Sequence, residues 1–344
     1  MPPTVSDFRS DTVTRPTPAM RAAMASAEVG DDVYGEDPTV RRLEEATAAR
    51  LGHEAGLFVA SGTQGNQIAI GVFCRPGDEV VVEANTHTLH YEGGGAAGLW
   101  GVQLFAIPSA KGILSAEQVS AAVNPADDHT PHTRMLVVEN THNRGGGAVW
   151  PLDVFRSTVA AAHGRGLAVH LDGARLWNAE AATGSPVRSW AELCDSATVC
   201  FSKGLGAPVG SVLVGSASFV REGRRLRKRL GGGMRQAGIL AAGALYALEH
   251  HVARLVEDHL HARALATGLA SLKGVTVDVS RVETNMVYVD VPLPAAEAVT
   301  ALRAEGILGN AVGPKTLRFV CHLDVGEADV QRAVAAVGRL VASR

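Results

Sequence analysis

The order in which apolar segments follow one another constrains the fold of this chain more than any other feature. From about residue 50 onward, short β-rich runs alternate with Ala-rich segments of helical pattern. The predicted strands are EVVVEA (79–84), VQLFAI (102–107), RMLVVEN (134–140), LAVHLDG (167–173), ATVCFS (197–202) and GSVLVG (210–215). Most are continuously apolar, which is typical of parallel strands covered on both faces. The sequence therefore predicts an α/β fold with an open sheet that carries helices on both sides.

A different pattern begins near residue 235. Residues 236–272 have the apolar faces of one or two long helices. The segments that follow predict short strands and helices in the order 276–280, 285–291, 295–305, 316–321 and 327–342. We therefore expect two domains: residues 1–245, an N-terminal segment with a large domain, and residues 246–344, a small α+β domain with its connecting helix.

Composition and charge exclude several classes of protein. The chain has 344 residues, of which 46% are hydrophobic and 19% charged, so it can bury a large core and is not intrinsically disordered. Its formal charge of −3 gives no general attraction to nucleic acid or anionic lipid. No apolar run approaches the roughly 18 residues of a membrane span, and the N-terminus has no signal-peptide core. The four cysteines lack the spacing of a zinc site. We expect a cytoplasmic protein without a metal, a nucleic-acid partner or a membrane.

Polar residues stand where the predicted strands end. Ligands of open α/β sheets bind outside the carboxyl ends of the strands. Asp172 ends one strand, and Lys203 follows the next. Alone, Asp172 is equally typical of a helix N-cap and Lys203 of a surface loop. Together they indicate pyridoxal phosphate, which needs an amine for a Schiff base and a carboxylate that keeps its pyridine nitrogen protonated.

Further residues suit the other parts of this cofactor. Gly62 and Thr63 open a helical pattern, where backbone N–H groups bind phosphate, and Ser202 is a second phosphate candidate. A ring must cover the face of the cofactor. We predict His87 for this position, with His90 as the alternative.

A carboxylate of the substrate calls for arginine, because a planar guanidinium binds it in bidentate fashion. Arg175, three residues past Asp172, and Arg318, in the segment TLRFVCHL, are the candidates. Ser10 could add a hydroxyl to the same contact.

The densest basic segment is REGRRLRKRLGGGMRQ (221–236). It has no interleaved aromatic residues, so it does not resemble a nucleic-acid site. It is either a solvated helix face or part of a subunit interface that lends Lys228 or Arg235 to the phosphate site of a neighbour.

Nine motifs, read in order, resemble one known family. They are FRSDTVTRPTPAM, VGDDVYGEDPTV, ASGTQGNQ, ENTHN, HLDGARLWNA, CFSKGLGAPVGS, GGGMRQAG, TNMV and LRFVCHLDV. They are similar to those of the low-specificity threonine aldolases, in register from about residue 7 to the end. The resemblance implies a pyridoxal-phosphate enzyme of the aspartate-aminotransferase fold (fold type I), with a mixed, mostly parallel sheet. It also implies cleavage of L-threonine or L-allo-threonine to glycine and acetaldehyde.

The same resemblance implies a role for each candidate residue. Lys203 would form the Schiff base, Asp172 would pair with the pyridine nitrogen, and His87 would stack on the ring. The other implied residues bind the phosphate (Gly62, Thr63, Ser202), bind the substrate carboxylate (Ser10, Arg318 and Arg175, which also borders the cofactor) or act across a subunit interface (Tyr34, Lys228, Arg235). The enzyme would then be at least a dimer, and the family is usually a tetramer of two dimers.

The sequence leaves the base for the β-hydroxyl proton open. His87, His142 and a positioned water are the candidates, and we expect His87 to matter most. The preference between L-threonine and L-allo-threonine is also open. Alternatives within the fold are an aminotransferase, a β-eliminating lyase, or an arylserine aldolase that differs near His90 and Tyr91. A catalytically silent binding protein is the alternative from another class.

Overall fold

The structure is a computed structural model, and it describes residues 5–342. The β-strands of this part of the chain are numbered in order. They are β1 (Ser6–Asp7), β2 (Ala55–Val59), β3 (Glu79–Glu83), β4 (Gln103–Ile107), β5 (Thr133–Glu139), β6 (Ala168–Gly173), β7 (Ser196–Cys200), β8 (Ser211–Gly215), β9 (Met286–Asp290), β10 (Ile307–Leu308), β11 (Asn310–Ala311) and β12 (Thr316–Val320).

The α-helices lie between these strands and after them. They are α1 (Pro18–Ala25), α2 (Pro38–Leu51), α3 (Gly62–Phe73), α4 (His87–His90), α5 (Gly95–Trp100), α6 (Ala116–Ala122), α7 (Leu152–Gly164), α8 (Leu176–Thr183), α9 (Arg188–Ala191), α10 (Ala217–Arg229), α11 (Gly238–His250), α12 (Leu255–Ala270), α13 (Ala295–Ala304) and α14 (Glu327–Ala342). None of the helices described is long and apolar enough to span a membrane.

Seven strands form the main sheet, in the order β2-β8-β7-β6-β5-β3-β4. Strands β3 to β7 pair in parallel, whereas β8 runs antiparallel to both of its neighbours. Every residue of β3, β7 and β8 is buried, because helices cover both faces of the sheet. The predicted mixed, mostly parallel α/β sheet is confirmed, and each of the six predicted strands is present.

Strand β2 was missed in the sequence because Gly56 weakens its strand pattern. The structure gives the reason for this glycine. A Cβ atom at Gly56 would lie 2.6 Å from the backbone oxygen of Glu44 in α2. The strand therefore needs a glycine where the helix backbone passes close to it.

The C-terminal part has its own sheet, β11-β12-β9, which is antiparallel. This sheet has an apolar core of its own, formed mainly by residues between 262 and 337. Phe8, from the N-terminal segment, also belongs to this core. Strand β1 pairs in parallel with β10, so the N-terminal segment also joins this part of the chain through its backbone. The division at residue 245 stays a prediction.

Candidate active site

A cavity of about 200 Å³ lies at the carboxyl ends of β5, β6 and β7. These ends meet at one edge of the sheet because the three strands are parallel neighbours. The cavity is lined by Thr12, Ser61, Gly62, Thr63, Asn66, His87, Glu139, Asp172, Ala174, Arg175, Cys200, Ser202 and Lys203. Seven of the residues singled out in the sequence are thus brought together: Gly62, Thr63, His87, Asp172, Arg175, Ser202 and Lys203.

Asp172 is the next-to-last residue of the central strand β6 and is only 1% exposed. Its Oδ2 atom accepts a hydrogen bond of 2.8 Å from Asn66 Nδ2. Its Oδ1 atom accepts one of 3.1 Å from the backbone N–H of Ala174. These donors fix the carboxylate at the cavity wall, where it can pair with a protonated ring nitrogen.

Lys203 lies in the loop after β7. Its Nζ atom donates to Cys200 Sγ at 3.2 Å. Its backbone carbonyl accepts hydrogen bonds from Thr14 Oγ1 (2.8 Å) and from the N–H of Gly206 (2.9 Å). The loop is held at its backbone on two sides, and the amine is presented to the cavity.

The N-terminus of α3 forms another wall. Ser61 is its N-cap and accepts a hydrogen bond from the N–H of Gln64 at 3.2 Å. The earlier N–H groups, at Gly62 and Thr63, have no partner within the helix and are suited to bind a phosphate. A Cβ atom at Gly62 would lie 2.9 Å from Cys200 Sγ, so a glycine is needed for this close approach.

His87 opens α4 beside the cavity. Its backbone N–H donates to Glu139 Oε2 at 2.7 Å, and its Nδ1 lies 3.0 Å from Glu92 Oε1. Burial opposes protonation of the ring. The hydrogen bond to Glu92 and the charges of Glu92, Asp172 and Glu139 outweigh burial and raise the pKa of His87 above its usual value.

His90, the alternative to His87, is exposed and does not line the cavity. Its Nε2 hydrogen bonds to the carbonyl of Ala84 at 2.8 Å. Of the two histidines, the structure therefore brings only His87 to the other candidate residues.

His142 is fully buried and also lies outside the cavity lining. Its Nε2 is 3.1 Å from Glu83 Oε2, and its Nδ1 accepts a hydrogen bond from the N–H of Gly145 at 3.0 Å. These contacts order the loop after β5. A catalytic role of His142 stays a prediction.

Arg175 forms a buried ion pair with Asp11 from the N-terminal segment. Nε and Nη2 of the guanidinium donate to the two carboxylate oxygens at 2.7 and 2.6 Å. Burial alone would raise the pKa of Asp11, but Arg175 more than offsets it and lowers this pKa to about 2. With two nitrogens bound to Asp11, Nη1 is the atom of Arg175 left for a substrate carboxylate.

Replacing Asp11 should destabilise the fold. We expect Asp11→Asn to lower the free energy of unfolding by about 3–5 kcal/mol, because Arg175 would stay buried without its counter-charge. The pKa of Asp11 is depressed in the folded state. The stabilisation from its charge is therefore present above its usual pKa of 3.8 and is lost as the pH falls toward about 2. Urea unfolding of the apoprotein at pH 7 and at lower pH measures both effects.

Asp7 provides the matched control. It also pairs with an arginine in the N-terminal segment, but Arg9 is 42% exposed in its side chain. We expect Asp7→Asn to cost less than about 1 kcal/mol. Equal losses in the two variants would contradict the importance of the buried pair.

Arg318 and Ser10 do not line the cavity around Lys203. Arg318, on β12, donates to Asn143 Oδ1 at 3.2 Å and to the carbonyl of Arg9 at 3.1 Å. It lines a separate cleft with Tyr91 and Tyr288. Ser10 Oγ accepts hydrogen bonds from the N–H and the hydroxyl of Thr12, which does line the cavity. A role of Arg318 and Ser10 in substrate binding stays a prediction.

Tyr34, Lys228 and Arg235 are exposed in the single chain and lie outside the cavity lining. Tyr34 is 77% exposed. Arg235 forms an ion pair with Asp31 at 3.1 Å. Their action across a subunit interface stays a prediction.

Four residues of the site were missed in the sequence: Asp11, Asn66, Glu92 and Cys200. Asp11, Asn66 and Cys200 lie within motifs already noted for other residues, whereas Glu92 lies outside them. Asn66 stands one helical turn after Gly62, and Glu92 stands five residues after His87. Helical spacing would have placed Asn66 on the same face as Gly62. No local signal identifies the side chain that each one contacts.

Within residues 5–342, His87, Glu92 and Asp172 form the one group spaced to hold a metal ion, with ligand atoms within 4.8 Å of one another. Asn66 already donates a hydrogen bond to both carboxylates. The expectation of no metal stays a prediction.

The residues present fit pyridoxal phosphate. One cavity holds an amine at Lys203, a carboxylate at Asp172 and the N-terminus of α3. These are the donors and acceptors needed for an aldehyde carbon, a protonated ring nitrogen and a phosphate.

Comparison with known proteins agrees with this arrangement. A family model described as beta-eliminating lyase matches residues 7–292. The chain is 44% identical to a probable low-specificity L-threonine aldolase 2 of Arabidopsis thaliana, with 94% of each chain covered. It is 43% identical to the low specificity L-threonine aldolase of Escherichia coli (strain K12), with 96% of this chain and 97% of that one covered.

Solved structures share the fold. A threonine aldolase of Leishmania major superposes with a TM-score of 0.84 at 21% identity, covering 97% of this chain and 99% of that one. A serine palmitoyltransferase of Sphingomonas wittichii superposes with a TM-score of 0.75 at 17% identity, covering 99% of this chain and 87% of that one.

Proposed function

Because this chain belongs to the beta-eliminating lyase family, whose cofactor is pyridoxal phosphate, we propose that it cleaves L-threonine and L-allo-threonine to glycine and acetaldehyde. It would be a carbon–carbon lyase of the aldehyde-lyase class. One observation carries the proposal: Lys203, Asp172, His87 and the N-terminus of α3 line one cavity, in a chain 43–45% identical to enzymes named for this reaction.

Pyridoxal phosphate, when bound, supplies an electron sink for the pair left on Cα as the Cα–Cβ bond breaks. Lys203 would hold its aldehyde carbon, and Asp172 its ring nitrogen. The N–H groups of Gly62 and Thr63, with Ser202, would hold its phosphate, and His87 would cover its ring. Because the carboxylate of Asp172 is held in place before substrate arrives, little reorganisation is needed there during the reaction.

The substrate carboxylate sets which bond breaks. Arg175 Nη1 is suited to bind this carboxylate, because Asp11 binds the other two nitrogens of the guanidinium and holds it in place. Arg318 and Ser10 would complete the contact. A carboxylate held in this way would orient the substrate so that Cα–Cβ stands perpendicular to the ring, whereas an aminotransferase would place Cα–H there.

His87 would take the proton of the β-hydroxyl. Glu92 binds its Nδ1, which leaves Nε2 for the substrate. This is the arrangement in which a carboxylate orients an imidazole base. His142 and a positioned water are the other candidates.

Replacing His87 tests this role. We expect His87→Asn to reduce kcat/KM for L-threonine about 100-fold, because the base is lost. In the unaltered enzyme, kcat/KM should rise with pH because a base acts in its unprotonated form. The midpoint of this rise should lie above the usual histidine pKa of 6.5, because the pKa of His87 is raised. Steady-state kinetics across pH measure both.

His90→Asn is the matched control, since His90 is exposed and outside the cavity. It should keep nearly full turnover. If His87→Asn does the same, His87 is not the base, and His142→Asn becomes the next variant.

The subunit arrangement is part of the proposal. We infer a homo-oligomer, a dimer of dimers, in which Tyr34, Lys228 and Arg235 reach the site of a neighbouring subunit. Their exposure in the single chain supports this. The variants Lys203→Ala and Arg235→Ala should each be inactive and should regain part of the activity when subunits are mixed. No recovery in verified mixed oligomers would contradict a shared site. The enzyme would act in the cytoplasm, in threonine breakdown and glycine formation.

The central experiment is acetaldehyde release from L-threonine and L-allo-threonine with added pyridoxal phosphate, followed through an NADH-coupled alcohol dehydrogenase. Release from either substrate supports the proposal, and the rate ratio gives the preference at Cβ. If protein that binds the cofactor releases no acetaldehyde from either substrate, the proposed cleavage is wrong. Arylserine would then test for a bulkier aldehyde, alanine with a keto acid for an aminotransferase, and loss of ammonia for a β-eliminating lyase.

A further inference from the structure

Behind the cavity, one amide joins two carboxylates. The two hydrogens of Asn66 Nδ2 are directed to Glu92 Oε1 and to Asp172 Oδ2, each at 2.8 Å. Asn66, Glu92 and Asp172 are all buried. Glu92 is the partner of His87, whereas Asp172 faces the cavity. Asn66 therefore lies between the group that holds the histidine and the group assigned to the ring nitrogen.

The orientation of this amide follows from the chemistry of its neighbours. An ionised carboxylate accepts hydrogen bonds and cannot donate them. The NH₂ group of Asn66 must therefore face Glu92 and Asp172. The amide oxygen then faces His170, whose Nε2 lies 3.0 Å away and must carry the proton. The other ring nitrogen of His170, Nδ1, lies 2.8 Å from Ser196 Oγ and accepts a hydrogen bond from its hydroxyl.

His170 stays neutral in this position. It is fully buried, and burial lowers its pKa to about 4. Its tautomer is therefore fixed near neutral pH, and it fixes the amide of Asn66 in turn. Ser196, His170 and Asn66 form a chain of hydrogen bonds from the sheet interior to Asp172.

Glu92 has two further donors. Gln67 Nε2 binds its Oε2 at 2.7 Å, and His87 Nδ1 lies 3.0 Å from Oε1. Among residues 5–342, the carboxylate of Asp172 has one other donor, the N–H of Ala174. Loss of Asn66 would therefore weaken the support of Asp172 more than that of Glu92.

We propose that Asn66 is a positioning residue that holds the carboxylates of Asp172 and Glu92 in place, so that the cofactor ring nitrogen and His87 are each matched to their own carboxylate. Without the amide, the two buried carboxylates would repel each other with no donor between them. The inference rests on the proposed pairing of Asp172 with the ring nitrogen.

Several charged groups face this pair. Glu139 and His87 lie on the same side, and Lys203 and Arg175 line the cavity with them. His170 faces Asn66 from β6 and is neutral. The carboxyl group that Asn66→Asp introduces would therefore interact with two cations (Lys203 and Arg175) and three carboxylates (Glu92, Asp172 and Glu139).

Binding of pyridoxal phosphate to the apoprotein, followed by absorbance from pH 6 to pH 9, tests the proposal without turnover. We expect Asn66→Leu to weaken binding about 10- to 100-fold, because a hydrogen bond to a charged group is lost. Asn66→Asp has nearly the same shape and is informative in a second way. Protonated, it can still donate to one carboxylate, whereas ionised it adds a third negative charge.

The binding constant of Asn66→Asp relative to the unaltered chain should therefore fall at least about tenfold from pH 6 to pH 9. The relative constant of Asn66→Leu should not change with pH. A role in packing alone would make neither ratio depend on pH. A flat ratio for Asn66→Asp would overturn the proposal.

Asn124 is the matched control. Its amide also binds a glutamate, Glu79 at 2.9 Å, but far from the cavity lining. Asn124→Leu should bind the cofactor normally, and equal weakening in Asn66→Leu and Asn124→Leu would overturn the inference.

The variant Asp172→Asn distinguishes a failure of the proposed role of Asp172 from a failure of the inference about Asn66. If it binds the cofactor with an unchanged absorbance and pH dependence, the assignment of Asp172 fails. If Asp172→Asn changes cofactor binding and Asn66→Leu does not, the inference about Asn66 fails. Circular dichroism shows whether each variant is folded, and Asn66→Asp keeps the test decisive if Asn66→Leu is not.

Discussion

Replacing Lys203 by alanine should abolish turnover of L-threonine, with a fall in kcat of more than about 10³-fold. The chain has five lysines, at positions 111, 203, 228, 273 and 315, and Lys203 is the one that lines the cavity. No other lysine of the same chain is placed to substitute for its amine. The absorbance of the bound cofactor should also lose the band that depends on a protein amine.

Lys273→Ala is the control for this prediction, because Lys273 is an exposed residue after α12. It should leave both turnover and absorbance unchanged. Turnover of Lys203→Ala within tenfold of the unaltered enzyme would show that the covalent amine lies elsewhere. Added primary amines provide a second check, since they should restore part of the activity only if the cavity of Lys203→Ala is intact.

Replacing Asp172 by asparagine should reduce kcat about 10³-fold while the protein still binds the cofactor. An amide has nearly the same shape as the carboxylate but carries no charge to keep the ring nitrogen protonated. Lys203 and the N-terminus of α3 would still hold the aldehyde carbon and the phosphate. The expected result is therefore a loss in kcat larger than the loss in cofactor affinity, measured by steady-state kinetics and by titration of the apoprotein.

Asp195 is the control for Asp172. It precedes β7 and accepts a hydrogen bond from the N–H of Val169 at 2.7 Å, near the beginning of β6 and therefore at the opposite end of the sheet. Asp195→Asn should keep nearly full kcat. A comparable loss in both variants would assign the effect to the sheet rather than to the charge of Asp172.

Much of the large sheet could be predicted because burial on both faces leaves a local record. Strands such as β3 and β8 read as short apolar runs between helical segments. Strand β2 left a weaker record, since Gly56 is set by the approach of the α2 backbone and not by the strand itself. The pairing of β1 with β10 left none, because each strand has only two residues and the paired residues lie 301 positions apart.

The candidate site was partly predictable for the same reason. Asp172 and Lys203 stand at strand ends, which the sequence marks, and the sheet rule brings such ends together. The choice between His87 and His90 was not settled by their three-residue spacing. It depends on Glu92 and Glu139, which hold His87 at the cavity while His90 turns to the carbonyl of Ala84.

The sequence by itself determined the α/β class, the ends of the main strands and the residue types available at those ends, because each depends on neighbours a few positions away. The tertiary structure alone decided which charges and amides meet. Asn66 contacts Asp172 across 106 positions, and Arg175 contacts Asp11 across 164. Such contacts leave no periodic pattern, since burial requires that each polar group find a partner but does not specify where in the chain that partner lies.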